Sequence, residues 1–420
     1  MGMTIVEKIL ARAGGGVVVS AGDFVVVDVD MTVMLDMSLH AGTRRELVKV
    51  YDPEKLAMIL DHTVPAPDRG AAEAHCAGRE FVKKFGIKRF HDVGRDQGIS
   101  HVIIGEHGYA LPGTVLVCSD SHSCAAGAYN CAARGVGYPD TVYAATTGKA
   151  WFRVGATVRY ELEGKLRPGV SAKDLFLHIA GTYGEHATQN VEYGGPGIAA
   201  LGMDARRTLA TMGAELSAEF VTFESDDVLV QYIKARSTKP FQPTYPDPDA
   251  RYAARRRVDL SALEPMVALP DAVVHNVAPV SQVIGTPIDQ AFIGSCANGN
   301  LDDLAEAARV LSGRRVASGV RLLITPGSQA VYREALRAGY IQTLVDAGAV
   351  VTPSTCGACF GGHMGVLGPG ETCITASTRN FKGRMGDPTA RIYMASPATV
   401  AASAVAGHIA HPADVAVGSS

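Results

Sequence analysis

Aliphatic runs that stop abruptly at small or polar residues constrain this chain more than any other feature. The segments "VLVCSD" (115–120), "AFIGSC" (291–296) and "VRLLITPG" (320–327) read as strands buried on both faces, as in parallel sheets. Helical stretches follow them. In "NLDDLAEAARVL" Asn300 is a natural N-cap, Asp302 and Asp303 occupy the first turn, and Leu301, Leu304, Ala308 and Leu311 recur at helical spacing. Strand, loop and helix in repetition predict an α/β fold, layered on parallel sheets, with sites at the carboxyl ends of strands.

At 420 residues the chain exceeds one ordinary core, and two breaks suggest where it divides. Near 156, "VRYELEGKLRPGVSAKDL" reads as an exposed strand, a turn at Pro168 and Gly169, and a helix start. Between 236 and 280 the pattern dissolves into a proline-rich excursion whose basic run "RYAARRR" reads as a solvated face. The expected units are 1–155, 156–281 and 282–420. At the start, Thr4 and Glu7 form a capping box for a first helix.

Net charge is −3, from 39 basic and 42 acidic residues, so no basic surplus exists to neutralise a nucleic-acid backbone. The longest weakly polar run, "SPATVAASAVAGHIA", is about fifteen residues, against the roughly 20 needed to span a bilayer. No signal-peptide pattern opens the chain. The expectation is a cytoplasmic protein that binds neither membrane nor nucleic acid, with its eight cysteines reduced. Cys76, Cys131 and Cys373 read as small buried hydrophobes.

Three other cysteines read differently. Cys296, in "FIGSCANGN", ends a predicted strand beside a helix N-terminus, where backbone N–H groups and the helix dipole favour a thiolate. Cys356 and Cys359 form the CxxC of "TPSTCGACFGG". That spacing alone fits a disulfide, a redox pair, half of a zinc site or part of an iron–sulfur site. Three thiolates fall short of a closed four-cysteine site, which points to a metal centre with one open position, suited to Lewis-acid chemistry. "VCSDSHSC" packs Asp120, Ser121 and His122 into a strand-to-helix loop; "LDHTVP" adds Asp61 and His62; "GISHVIIGEHG" adds His101 and His107. Such groups suit proton transfer or support of a metal. "STRNFKGRMG" brings Arg379 and Arg384 together for bidentate grip on carboxylates. In "TLATMGAELSAE", Thr211 and Glu215 fall one helical turn apart, away from the Leu209, Met212 and Leu216 stripe.

With "DHTVP", "DSHS", "FIGSCANG", "STCGACFGG" and "STRNFKGRMG" in this order, nearly the whole chain resembles the aconitase superfamily, in its 3-isopropylmalate dehydratase large-subunit and homoaconitase branch. The resemblance implies a three-domain aconitase-like core lacking the fourth, swivel domain. It implies a 4Fe-4S cluster on Cys296, Cys356 and Cys359, with Asp61 and His62 protonating a leaving hydroxyl. His101, Asp120, Ser121, His122 and Glu215 match other site positions, and Arg379 and Arg384 match carboxylate binders. Ala297 stands where the family has threonine, and Thr211 and Thr378 where many members have asparagine, changes that bear on cluster potential, stability or substrate.

The implied function is a hydro-lyase that dehydrates and rehydrates a hydroxylated di- or tricarboxylic acid. 3-Isopropylmalate leads; homoaconitate, citraconate and dimethylmalate chemistry are the alternatives. An iron–sulfur sensor or binding module, or a zinc protein on the same cysteines, would be a different class. The implied partner is a small, swivel-domain subunit carrying the family's serine base and another arginine.

Overall fold

The computed structural model describes residues 2–42 and 47–416. Three larger sheets organise them. A five-stranded, all-parallel sheet has the order Arg89–His91, Leu56–Ile59, Met31–Leu35, Val115–Cys118, Ala132–Gly135. A four-stranded parallel sheet runs Val221–Phe223, Gln189–Gly194, Ala156–Glu163, Ala254–Asp259. In a seven-stranded sheet, Arg391–Ala395, Thr372–Thr375, Gln290–Ile293, Arg321–Ile324 and Val350–Val351 run parallel, and Met266–Ala268 joins the Arg391–Ala395 edge antiparallel, followed by Val277–Pro279. This is the α/β architecture that the abruptly ending aliphatic runs predict. Strands Val115–Cys118, Gln290–Ile293 and Thr372–Thr375 are buried at every position, because helices and loops cover both faces.

Helix starts follow the sequence closely. Thr4 and Glu7 form a reciprocal capping box ahead of Ile5–Ala13, and Asn300 with Asp303 does the same for Leu301–Leu311. Among the described residues no helix is long and apolar enough to cross a membrane.

Three local expectations fail for physical reasons. Ala156–Glu163 is an interior strand, since Arg159 is buried and ion-paired with Glu161, Glu192 and Glu224 at 2.6, 2.6 and 2.9 Å, so charged residues in sequence do not mean exposure here. Part of "RYAARRR" is the edge strand Ala254–Asp259. There Arg255 and Arg257 face solvent, but Arg256 lies 4.4 Å from the Tyr183 ring centroid and donates to Tyr160 Oη at 2.8 Å. Cys76 is exposed on the helix Arg69–Phe85, not a buried hydrophobe. Cys131 and Cys373 are buried as expected.

Strands of the first two sheets share one apolar core, in which Met31, Val33 and Leu116 meet Val158, Tyr160 and Val191. A second core, including Ala291, Ile293, Leu322, Ile324 and Ile374, packs the seven-stranded sheet against its helices. Loops at the carboxyl ends of strands from the first and third sheets converge between these cores.

Candidate active site

Each strand end delivers its polar residues to one place. From the five-stranded sheet come Asp36 after Met31–Leu35, Asp61 and His62 after Leu56–Ile59, and Asp120 to His122 after Val115–Cys118. From the seven-stranded sheet come Cys296 after Gln290–Ile293, Cys356 and Cys359 after Val350–Val351, and Thr378 and Arg379 after Thr372–Thr375. Between them is a cavity of about 330 Å³, lined by Asp61, His62, His101, Asp120, His122, Cys296, Cys356, Cys359, Arg379 and Arg384. Ser121 and Glu215 are not on its wall; they act on it through Arg379 and His122.

The two sets of loops are stitched together by backbone. The Cys356 amide donates to the Asp61 carbonyl at 2.9 Å, and Thr355 Oγ1 is 2.9 and 3.0 Å from the Asp61 and His62 carbonyls. His363 Nε2 is 2.9 Å from the same His62 carbonyl. At Gly361, which ends the tight turn Gly357–Phe360 with φ +76°, a Cβ would lie 2.7 Å from the Arg384 carbonyl oxygen. Glycine alone permits that left-handed conformation and close approach without strain.

Carboxylates and imidazoles alternate through the cavity. His62 Nδ1 is 2.7 Å from Asp61 Oδ1 and its Nε2 is 3.5 Å from Asp120 Oδ2. Asp120 Oδ1 is 2.9 Å from His101 Nε2 and accepts from the His122 amide at 2.7 Å; His122 Nε2 is 3.0 Å from Glu215 Oε1. Burial disfavours charge on His62, yet Asp61, Asp120 and Asp36 overcome it and hold the imidazole proton well above its ordinary range. His122 is raised in the same way, burial being outweighed by Asp120 and Glu215. Asp120 stays ionised well below the usual carboxylate range, because His101, His122 and His62 more than offset its burial. The result is a dense, proton-holding network.

The cysteine side is assembled differently. All three thiols line the cavity, Thr378 Oγ1 is 3.6 Å from Cys359 Sγ, and Arg384 Nη2 is 3.9 Å from the same sulfur. Burial, with the neighbouring Cys359, pushes the Cys296 thiol up, outweighing the thiolate bias of a helix N-terminus. A hydrogen bond from Cys356 and the Arg384 charge, against burial, hold Cys359 well below its ordinary value, while the same contact and burial raise Cys356. Adjacent buried thiols ionise together beside a metal cation, which removes their protons outright. Three soft sulfur donors from two loops, close to one another and to an arginine, fit an iron–sulfur cluster.

The sequence reading missed Asp36. It is fully buried and accepts from the amides of His62 and Thr63 at 3.2 and 2.9 Å and from Thr63 Oγ1 at 2.8 Å, setting the turn that carries His62. Burial would raise its carboxyl, but His75, His62 and Thr63 together lower it. Its signal was the strand-end position itself, the same cue that flags Asp120 and Cys296. Two other readings need correction. His107 is exposed, packs on the His91 ring at 4.5 Å and does not line the cavity. The α-helix Met203–Met212 stops before Glu215, which lies in the tighter turn Gly213–Leu216, so Thr211 and Glu215 share no helix face. Thr211 is buried, its hydroxyl without a hydrogen-bond partner among the described residues, whereas Glu215 Oε1 accepts from Arg379 Nε at 2.8 Å.

Comparison with known proteins agrees with this geometry. Residues 71–284 and 272–407 match the aconitase family (aconitate hydratase). A 3-isopropylmalate dehydratase large subunit of Mycolicibacterium smegmatis is 56% identical over 97% of this chain and 96% of its own length. A probable 3-isopropylmalate dehydratase large subunit of Methanothermobacter thermautotrophicus is 44% identical over 98% and 99%, and a 3-isopropylmalate dehydratase large subunit of Aquifex aeolicus 43% over 99% and 98%. With more than half of its length matched by the family and relatives aligned end to end, this chain belongs to the aconitase family.

Proposed function

We propose that this chain is the large subunit of a leucine-pathway hydro-lyase that dehydrates 3-isopropylmalate and rehydrates the product, with a 4Fe-4S cluster held by Cys296, Cys356 and Cys359. The observation that carries this reading is the shared cavity: thiols, imidazoles, carboxylates and arginines from loops of two sheets line one space of about 330 Å³. The end-to-end likeness to relatives named as large subunits supports it.

When bound, the cluster supplies Lewis acidity that makes hydroxide a better leaving group. The rest falls to the chain. His62, held protonated by Asp61 and Asp120, is placed to give its proton to the departing hydroxyl. Asp36 fixes the turn that aims it. Arg384, whose buried Nε has no hydrogen-bond partner among the described residues, lines the cavity as a carboxylate anchor. Arg379 is oriented by Glu215 Oε1 at 2.8 Å and by Ser121 Oγ at 2.9 Å, and supplies a second anchor. Leu35, Met37, Ile99 and Phe360 form an apolar wall suited to an isopropyl group rather than a third carboxylate. The base that takes the carbon-bound proton is assigned to the partner, a small subunit, in keeping with the relatives named as large subunits.

The test is turnover of 3-isopropylmalate by the anaerobically reconstituted chain together with the small subunit of the same organism. Conversion to the unsaturated acid and its rehydrated isomer is expected. A complex that binds iron yet leaves 3-isopropylmalate untouched while hydrating homoaconitate or citraconate would reassign the substrate; zinc in place of iron would overturn the mechanism.

A further inference from the structure

Lys173 is a residue that neither the sequence motifs nor the mechanism above uses. It stands in the first turn of the helix Ala172–Tyr183, is wholly buried, and forms no ion pair among the described residues. Its Nζ donates to the Ser377 carbonyl at 2.9 Å, and the remaining neighbours are the thioether sulfurs of Met212 at 3.3 Å and Met394 at 3.9 Å. Thioethers are weak acceptors, so one carbonyl is the main short-range compensation for a buried ammonium. The helix makes matters worse, because its N-terminal dipole repels a cation. Burial accordingly pushes this amine down to about 8, against the raising influence of Asp303, Cys296, Cys359 and Glu215.

Those four groups explain the position. Lys173 feels the charges of two of the three site cysteines and of Glu215, and it is not among the residues lining the cavity, so it does not act on substrate directly. Its hydrogen bond also holds Ser377, the residue before Thr378 and Arg379, in the loop that touches Cys359 and carries the carboxylate anchor. A four-iron cluster with three thiolate ligands is anionic, and reduction adds a further negative charge. Fixed positive charge nearby in a low-dielectric interior favours the reduced form.

We propose that Lys173 is a positioning residue of the metal centre: its buried ammonium, held on the loop that touches Cys359, is a counter-charge to the cluster, raising its reduction potential while pinning the 376–379 loop. This inference rests on the cluster assignment made above. Arg384, by contrast, lines the cavity.

The experiment is an anaerobic potentiometric titration, followed by electron paramagnetic resonance, of the reconstituted full chain and two variants. Lys173→Met matches the surrounding thioethers and removes both charge and hydrogen bond; Lys173→Gln keeps a donor for the Ser377 carbonyl and removes only the charge. Both variants are expected to bind iron and sulfide in wild-type amounts, with the equilibrium for one-electron reduction made at least tenfold less favourable, a fall of 59 mV or more. A potential unchanged in both variants overturns the proposal, as does a fall in Lys173→Met alone, which would assign the effect to the hydrogen bond. If wild-type chain binds no iron, the cluster reading itself fails and this inference with it, a result distinguishable because it is read in the unmutated protein.

Discussion

The two halves of the site are built on opposite plans. On the side of the five-stranded sheet, Asp36, Asp61, His62, His101, Asp120 and His122 satisfy one another, with contacts of 2.7 to 3.5 Å between side chains and turn amides. On the side of the seven-stranded sheet Cys359 Sγ makes long contacts to Thr378 and Arg384, at 3.6 and 3.9 Å, and the buried Arg384 Nε has no hydrogen-bond partner among the described residues. The first half is preorganised by the chain, since its charges are balanced internally. The second leaves its donors available to the proposed cluster and substrate. A buried polar group left unmatched costs stability, so such a group is retained where binding or catalysis repays it.

That contrast predicts a graded response to mutation. The largest effect belongs to the cysteine half: Cys359→Ser should abolish the broad visible absorbance and the activity of the reconstituted protein while the α/β circular dichroism persists, and an unchanged spectrum would remove Cys359 from the ligand set. Next is Arg384→Lys, which cannot reproduce a bidentate grip; loss of a buried carboxylate partner costs about 2 to 5 kcal/mol, read as kcat/KM for the assembled enzyme. Glu215→Gln crosses between the halves, because one oxygen serves both His122 and Arg379, at 3.0 and 2.8 Å. A fall of about 10- to 100-fold in activity with wild-type iron content is expected, the size typical of groups that orient a metal site's residues.

A subtler effect tests the internally balanced half. Asp61 stabilises the protonated form of His62, so Asp61→Asn should lower the pH at which that proton is lost. The sign follows directly: activity requiring the imidazolium is retained below that pH and lost above it, so the alkaline limb of the pH–rate profile should move to lower pH. An unmoved alkaline limb would take His62 out of the proton-donor role. The smallest effect should come from Thr4→Ala, which removes the cap of Ile5–Ala13 far from either half; about 1 kcal/mol of stability by denaturant titration is expected, with kcat unchanged in the fully folded protein.

Much of this arrangement is legible in the sequence wherever the signal is local. Aliphatic runs that end in Asp120 or Cys296 announce both the parallel strand and the side chain at its carboxyl end, and the capping box at Thr4 and the N-cap at Asn300 fix helix starts to the residue. Signals that depend on distant partners are not legible. Arg159 looks solvated until Glu192 and Glu224, far away in sequence, are seen around it. Glu215 looks like part of a helix because its neighbours keep helical spacing, but Gly213 ends the regular helix and the tighter turn redirects the carboxylate towards Arg379. Asp36 lacked a motif around it, and its importance lies in the turn amides of residues 62 and 63. His107, near His101 in sequence, falls beyond the end of the helix Ser100–Glu106 and turns outward.

The central claim is that the two halves serve one substrate at the proposed cluster, whose three cysteine ligands would leave one metal position open. It is tested most directly by Mössbauer spectroscopy of the chain reconstituted with iron-57, before and after addition of 3-isopropylmalate. Three cysteine ligands leave a single iron of a four-iron cluster without protein sulfur. The account predicts that the signal of that iron alone shifts when substrate is added, and that Arg384→Lys raises the concentration needed to produce the shift. A spectrum in which no iron responds to saturating substrate, or in which all respond equally, would contradict it.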